Sequence, residues 1–198
     1  MSASGNQQKH ESTNPIQRAL IGRFHAAVLS MLELAKPKDL LDLGCGEGFV
    51  LHEIVQAQRA IKLHGIDLSE SAVSHARARL QDNATIEQED ARTLVKDGRS
   101  FDLVMMLEVL EHIPEPEQML PVLENLTRQY LLLSVPQEPA FRALNFLRGK
   151  NMSRWGNDIE HVNHWSSKSF RRFIEQRFEV MDMPSVFPWT MILARKRT

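Results

Sequence analysis

The stretch Asp42-Leu43-Gly44-Cys45-Gly46-Glu47-Gly48 decides how this chain folds. The apolar run 39–43 leads into it and is predicted to be a β-strand, and a helix is predicted over 48–58 directly behind it. Glycines permit positive φ angles and let the backbone approach a ligand closely. The order of residues is neither G-x-G-x-x-G nor a glycine loop ending in Lys and Ser or Thr. A classical dinucleotide fingerprint and a P-loop are therefore both excluded.

Working outward from this turn, the sequence alternates between short apolar runs and helical periodicity. Helices are predicted at 15–36, 69–80, 115–128 and 166–176, and further strands at 62–68, 84–89, 101–107, 130–135, 178–183 and 190–194. Such alternation predicts an α/β fold, a doubly wound parallel sheet with crossover helices. The last two strands follow each other with no helix between them, so we expect an antiparallel pair at one edge.

Acidic residues follow the second and third predicted strands. Asp67 ends one and Asp90 ends the other. The carboxyl ends of strands are where open α/β sheets bind ligands. A carboxylate at Asp67 can accept from both hydroxyls of a ribose, and one at Asp90 can accept from an adenine amino group.

Four stretches, 41–48, 65–69, 89–91 and 101–104, resemble the successive motifs of the class I S-adenosylmethionine-dependent methyltransferases. This resemblance implies a Rossmann-like, seven-stranded sheet whose last strand is antiparallel, and S-adenosyl-L-methionine as cofactor. The cofactor-binding residues that it implies are Asp42, Gly44, Cys45 and Gly46 at the methionine end, Asp67 and Leu68 at the ribose, Asp90 and Ala91 at the adenine, and Leu107 on the methionine side.

A carboxylate–histidine cluster, Glu108-Val109-Leu110-Glu111-His112, follows the fourth predicted strand. If the segment is helical, Glu108, Glu111 and His112 point the same way. With His161 as a fourth ligand, they would suit a divalent ion such as Mg²⁺, Mn²⁺ or Zn²⁺.

The Glu-x-x-Glu-His motif resembles that of small-RNA 3′-terminal 2′-O-methyltransferases and that of ubiquinone-pathway O-methyltransferases, which implies a metal. Metal-free methyltransferases carry a similar Glu-His pair, so an acid–base site is the open alternative. His112, His161 and His164 are the candidate catalytic residues, because a neutral imidazole can take the proton of a hydroxyl acceptor near pH 7.

A long segment, 136–165, separates the fifth predicted strand from the last helix. A plain connection in such a fold takes ~2–6 residues, so we expect a cap insertion over the acceptor. A short amphipathic helix is predicted at 139–148. Between 141 and 154 the cap contains four basic residues and no acidic one, which suits an anionic or lipid-like acceptor or an RNA end.

The composition limits the remaining possibilities. The chain has 198 residues, a formal charge of −1 and a single cysteine, which excludes a disulfide framework and argues against a nucleic-acid binder. The polar stretch 1–14 is predicted to be a disordered tail and 15–198 a single domain. With no membrane span or signal peptide apparent, we expect a cytoplasmic protein.

The sequence predicts O-methylation of a small-molecule or lipid-like acceptor. The alternatives are a metal-dependent RNA 3′-end 2′-O-methyltransferase and a non-catalytic cofactor-binding subunit.

Overall fold

The computed structural model describes residues 13–58, 60–137 and 162–197. The helices are α1 (Pro15–Ala35), α2 (Phe49–Gln56), α3 (Glu70–Leu80), α4 (Ala91–Lys96), α5 (Met119–Leu126) and α6 (Ser167–Ile174). The strands are β1 (Asp39–Leu43), β2 (Lys62–Asp67), β3 (Thr85–Gln88), β4 (Phe101–Leu107), β5 (Thr127–Pro136), β6 (Phe178–Asp182), β7 (Ser185–Val186) and β8 (Trp189–Lys196).

Seven strands form one continuous sheet in the order β3-β2-β1-β4-β5-β8-β6, and the two-residue β7 pairs with β8 beside this path. Strands β1 to β5 pair in parallel, while β8 is antiparallel to both β5 and β6. The predicted Rossmann-like sheet with an antiparallel last strand is therefore confirmed. The sequence did not predict that β8 would insert between β5 and β6 rather than lie at the edge.

Helices cover both faces of the sheet, so its strands alternate between two apolar layers. Leu40, Leu103 and Leu132 pack with α1, α2 and α3, whereas Leu41, Val104 and Leu131 pack with α4, α5 and α6. Neighbouring residues of a strand point to opposite faces, which explains why the central strands are apolar throughout.

Local signals set the helix ends at α1 and α3. The Asn14 side chain accepts from the amides of Ile16 and Gln17 ahead of Pro15, and Lys36 ends the helix in the left-handed conformation. Ser69 accepts from the Ala72 amide at the start of α3. Side chains that satisfy the first free amides define where a helix begins.

The prediction of a helix over 115–128 is wrong at both ends. A 3₁₀ turn occupies Pro116–Gln118, α5 ends at Leu126, and β5 begins at Thr127. The polar pair Arg128-Gln129 concealed the strand, because Arg128 is held there by Asp39 and Asp102, which belong to other strands. The short elements α4 and β7 were not predicted.

Parts of the predicted organisation fall outside the described residues: most of the tail (1–12) and most of the cap (138–161), including its predicted helix. In the ranges that are described, no helix is both long and apolar enough to cross a membrane.

Candidate cofactor and active site

The glycine turn after β1 is fastened to the end of β2 by its own backbone. The amides of Gly44 and Cys45 both donate to the carbonyl of Ile66, at 2.9 and 3.0 Å. Gly44, Gly46 and Gly48 have φ angles of +75°, +54° and +75°, which non-glycine residues adopt only with strain. The turn after β1 therefore requires glycine at all three of these positions.

Gly44 also permits a close approach between two loops. A Cβ atom at this position would lie 2.7 Å from Cγ2 of Val109, which is far inside van der Waals contact. The turn after β1 and the segment after β4 therefore touch at this edge of the sheet. Sequence reasoning missed Val109.

Asp67, the last residue of β2, lies between two backbone donors. Its Oδ2 accepts from the Gly46 amide and its Oδ1 from the Ser69 amide, both at 2.9 Å. An ionised carboxylate has about four acceptor sites, so capacity remains for the two hydroxyls of a ribose. The neighbouring Leu68 is 71% exposed, an apolar side chain placed to contact an apolar ring.

Asp42 lies within the sheet and is only 4% exposed. Burial, together with the nearby charge of Asp67, raises its pKa to about 8. Burial also raises the pKa of the Cys45 thiol, so Cys45 contributes packing and backbone rather than a thiolate. The two carboxylates at this edge thus differ in environment: Asp42 is enclosed, and Asp67 is held by backbone amides.

Asp90 and Ala91 begin α4, at the end of β3. Oδ1 of Asp90 accepts from the Arg92 amide at 2.7 Å, and its other oxygen lies 3.4 Å from the Arg92 guanidinium. The Glu89 amide donates to the Asp67 carbonyl at 3.2 Å, which ties the β3 end to the β2 end. The three predicted cofactor positions are therefore brought to one edge.

Glu108 begins the segment after β4 in an unusual conformation. Its φ is +59°, a strained value for a residue with a side chain. The Ser134 hydroxyl donates to Oε1 of Glu108 at 2.9 Å, and the Glu108 amide donates to the Ser134 carbonyl at 3.1 Å. Ser134 is fully buried and was missed, although a lone hydroxyl in the apolar run 131–135 is a signal that could have found it.

The expectation that Glu108, Glu111 and His112 share a helical face is wrong. Only a 3₁₀ turn, Leu110–His112, follows Glu108. Glu111 is buried at 1% exposure, whereas His112 is exposed. No three His, Cys, Asp or Glu side chains within the described ranges are grouped to hold a metal, and His161 lies outside those ranges. The described residues do not fit a divalent ion.

The chain returns from residue 162 directly onto this segment. The amides of Val162 and Asn163 donate to the Glu111 carbonyl at 2.9 and 3.1 Å, and the Asn163 side chain donates to Ile113. His164 is exposed and next to Trp165, whose ring packs on Phe173 at 4.8 Å between centroids. His164 and His112 are thereby carried on two segments that contact each other.

Comparison with known proteins agrees with this geometry. Residues 41–129 match the family model described as a methyltransferase domain. The fold, from the glycine turn to the antiparallel β8, is shared with solved methyltransferase structures.

One curated relative matches this chain over less than half of its length. The ubiquinone biosynthesis O-methyltransferase of Coxiella burnetii is 36% identical over 88 residues, which are 43% of this chain and 37% of that protein. The chain therefore spans less than half the length of this curated relative.

Two solved structures share the fold over most of the chain. One is magnesium protoporphyrin IX methyltransferase from Synechocystis PCC 6803 with bound S-adenosylhomocysteine, which has a TM-score of 0.71 at 20% identity. The superposition covers 94% of this chain and 89% of the Synechocystis chain. The other is the methyltransferase domain of bacterial CtHen1-CN, with a TM-score of 0.69 at 22% identity. This superposition covers 89% of our chain and 99% of that domain.

Proposed function

We propose that this protein transfers a methyl group from S-adenosyl-L-methionine to a hydroxyl oxygen of a small-molecule acceptor. The observation that carries the proposal is Asp67, a carboxylate held by the Gly46 and Ser69 amides at the edge where the glycine turn ends. The methyltransferase domain match over 41–129 and the O-methyltransferase named among the relatives support it.

The cofactor residues would act from three strand ends. Asp67 would accept from the ribose hydroxyls, and Leu68 would cover an apolar ring beside it. Asp42 and the backbone of 44–46 would hold the methionine end together with Leu107, and Asp90 and Ala91 the adenine. The cofactor supplies a methyl group already activated on a sulfonium, so alignment with the acceptor oxygen is the protein's main task.

The acceptor hydroxyl must lose its proton when the methyl group is transferred. His112 and His164 are the described histidines at this edge, and both are exposed. We assign proton removal to this pair or to His161, because an imidazole accepts a proton near neutral pH. We assign orientation of the acceptor to Glu108, whose carboxylate accepts from the Ser134 hydroxyl.

The acceptor class that we favour is a phenolic or lipid-like hydroxyl compound. A phenol ionises near pH 10, so it needs less help from a base than an aliphatic alcohol. The relative's name associates the matched stretch with ubiquinone biosynthesis, which is consistent with an apolar acceptor.

A transfer assay with labelled methyl groups tests the proposal. The full chain is incubated with S-adenosyl-L-methionine and a catechol, with or without a prenyl tail, or with a short RNA. We expect label in the catechol, loss of that label in Asp67→Asn, and full label in Asp82→Asn, an exposed carboxylate in the turn after α3.

Two results would contradict the proposal. Label in the RNA alone would make the protein an RNA methyltransferase. Cofactor binding without transfer to any acceptor would make it a cofactor-binding subunit.

A further inference from the structure

A cavity lies at the opposite edge of the sheet from the glycine turn. It is lined by Ser100, Asn125, Thr127, Arg128, Lys196 and Arg197 and has a volume of about 510 Å³. Strand β5 begins here, β4 begins just after Ser100, and the antiparallel β8 ends here. Among the described residues, none of those assigned to the cofactor or the acceptor lines this cavity.

The described residues that line this cavity include three cations and no carboxylate side chain. Arg128 adds no positive charge, because its guanidinium lies 2.6 Å from Asp39 and 3.0 Å from Asp102, and these three charges together leave one negative charge against the two positive charges of Lys196 and Arg197. Lys196 and Arg197 have no such partner. Among the described residues, neither forms an ion pair.

Both of these cations contact only backbone oxygens. The Lys196 ammonium donates to the carbonyls of Glu124 and Thr127 at 2.7 and 3.0 Å, and Arg197 donates to the carbonyl of Glu175 at 2.7 Å. Carbonyl oxygens carry only partial charge. An ammonium has three donors and a guanidinium five, so both side chains keep hydrogen-bonding capacity as well as charge.

The carboxylates that could neutralise them are engaged elsewhere. Glu124 pairs with Arg177 at 2.8 Å, and Glu175 pairs with Arg171 at 2.7 Å. The Lys196 and Arg197 side chains therefore provide a local excess of positive charge at the cavity.

Thr127 adds a polar group in the same lining. It is fully buried, and its hydroxyl has no hydrogen-bond partner. Buried hydroxyls without a partner are uncommon in folded proteins and call for an explanation. A ligand oxygen would provide that partner once the side chains that cover the hydroxyl move aside, because the hydroxyl has no exposed surface in this structure.

We propose that this cavity binds a small organic anion carrying a phosphate group. Phosphate oxygens suit a lysine, an arginine and a hydroxyl donor together, because charge-assisted hydrogen bonds to phosphate are short and strong. A cavity of about 510 Å³ lies in the size range of small-molecule sites, so the ligand is larger than the free phosphate ion.

Titration calorimetry of the full chain with inorganic pyrophosphate tests the charged part of the site. We expect saturable one-to-one binding that weakens at least tenfold in Arg197→Gln and in Lys196→Gln. Arg195→Gln is the matched control: it removes one charge from the same strand, but Arg195 pairs with Glu179 and does not line the cavity. Arg197 is exposed, so its variant remains informative if Lys196→Gln fails to fold.

Other readouts separate this site from the proposed active site and from general charge attraction. Amide chemical shifts should move at Thr127 and Arg197 but not at Gly46, and S-adenosyl-L-methionine should not compete. Equal binding by Arg197→Gln and Arg195→Gln, absence of saturation, or displacement by S-adenosyl-L-methionine would overturn the proposal. Tighter binding of citrate than of pyrophosphate would overturn the assignment to phosphate.

Discussion

The amide nitrogen of Gly46 lies 2.9 Å from Oδ2 of Asp67, although the two residues are 21 positions apart in the chain. This bond joins the glycine turn after β1 to the carboxylate that ends β2. Because the Ser69 amide holds the other oxygen, the carboxylate has a fixed orientation before any ligand arrives. Preorganisation of this kind reduces the entropy lost on binding.

Replacement of Asp67 by Asn should weaken S-adenosyl-L-methionine binding. The amide keeps the shape but loses the charge that strengthens bonds to ribose hydroxyls, and charged hydrogen bonds contribute ~1.5–3 kcal/mol. Calorimetry should show affinity reduced roughly 10- to 100-fold. Asp82→Asn should bind like the wild type, and equal affinities for both variants would remove Asp67 from the cofactor site.

Replacement of Gly44 by Ala should destabilise the protein by more than backbone strain alone. The new Cβ would lie 2.7 Å from Val109, and such overpacking costs ~1–3 kcal/mol. Gly98→Ala is the matched control, since Gly98 also has a positive φ, +69°, but has no atom within 4 Å of its Cβ position. In urea unfolding, Val109→Ala should rescue Gly44→Ala and leave Gly98→Ala unaffected; no rescue would mean that Val109 does not limit this site.

The buried Asp42 should make stability fall as the pH rises. The folded state keeps the proton up to a pKa of about 8, whereas the unfolded chain releases it near 3.8. Between these values the folded state binds more protons, so unfolding becomes easier by up to ~1.4 kcal/mol per pH unit. Urea unfolding at pH 5, 6.5 and 8 should show this slope in the wild type and in Asp82→Asn, and a flatter one in Asp42→Asn. Parallel slopes in all three proteins would contradict it.

The strained backbone at Glu108 should make glycine more stable than alanine there. Both Glu108→Gly and Glu108→Ala lose the bond from Ser134, but only glycine adopts a φ of +59° without strain. We expect Glu108→Gly to have the higher free energy of unfolding, by ~0.5–1 kcal/mol. Glu117 is exposed and has no positive φ. At this position, Glu117→Ala should therefore have a higher free energy of unfolding than Glu117→Gly. The same order at both positions would indicate that Glu108 is not strained.

Features coded by neighbouring residues were predictable from the sequence. The Asn14 cap, the glycine turn and the acidic ends of β2 and β3 follow from short local patterns. The start of β5 was not predictable in this way, because Arg128 enters the strand only through its contacts with Asp39 and Asp102.

Contacts between distant residues also explain the missed parts of the site. The bond from Ser134 to Glu108 joins residues 26 positions apart. The positive φ of Glu108 redirects the chain after β4 in a way that no helical pattern reveals. A spacing that would place Glu108, Glu111 and His112 on one helical face is therefore misleading when no α-helix forms.

The position of β8 has a consequence for how this protein is made. β8 pairs with β5 from Tyr130↔Arg195 to Pro136↔Trp189 and also pairs with β6. During synthesis, one edge of the apolar β5 therefore stays unpaired until residue 196 has left the ribosome. Unpaired apolar edges are where nascent chains associate with one another. The emergence of residues 189–196 from the ribosome, more than any earlier step, is the moment at which the chain closes its sheet against aggregation.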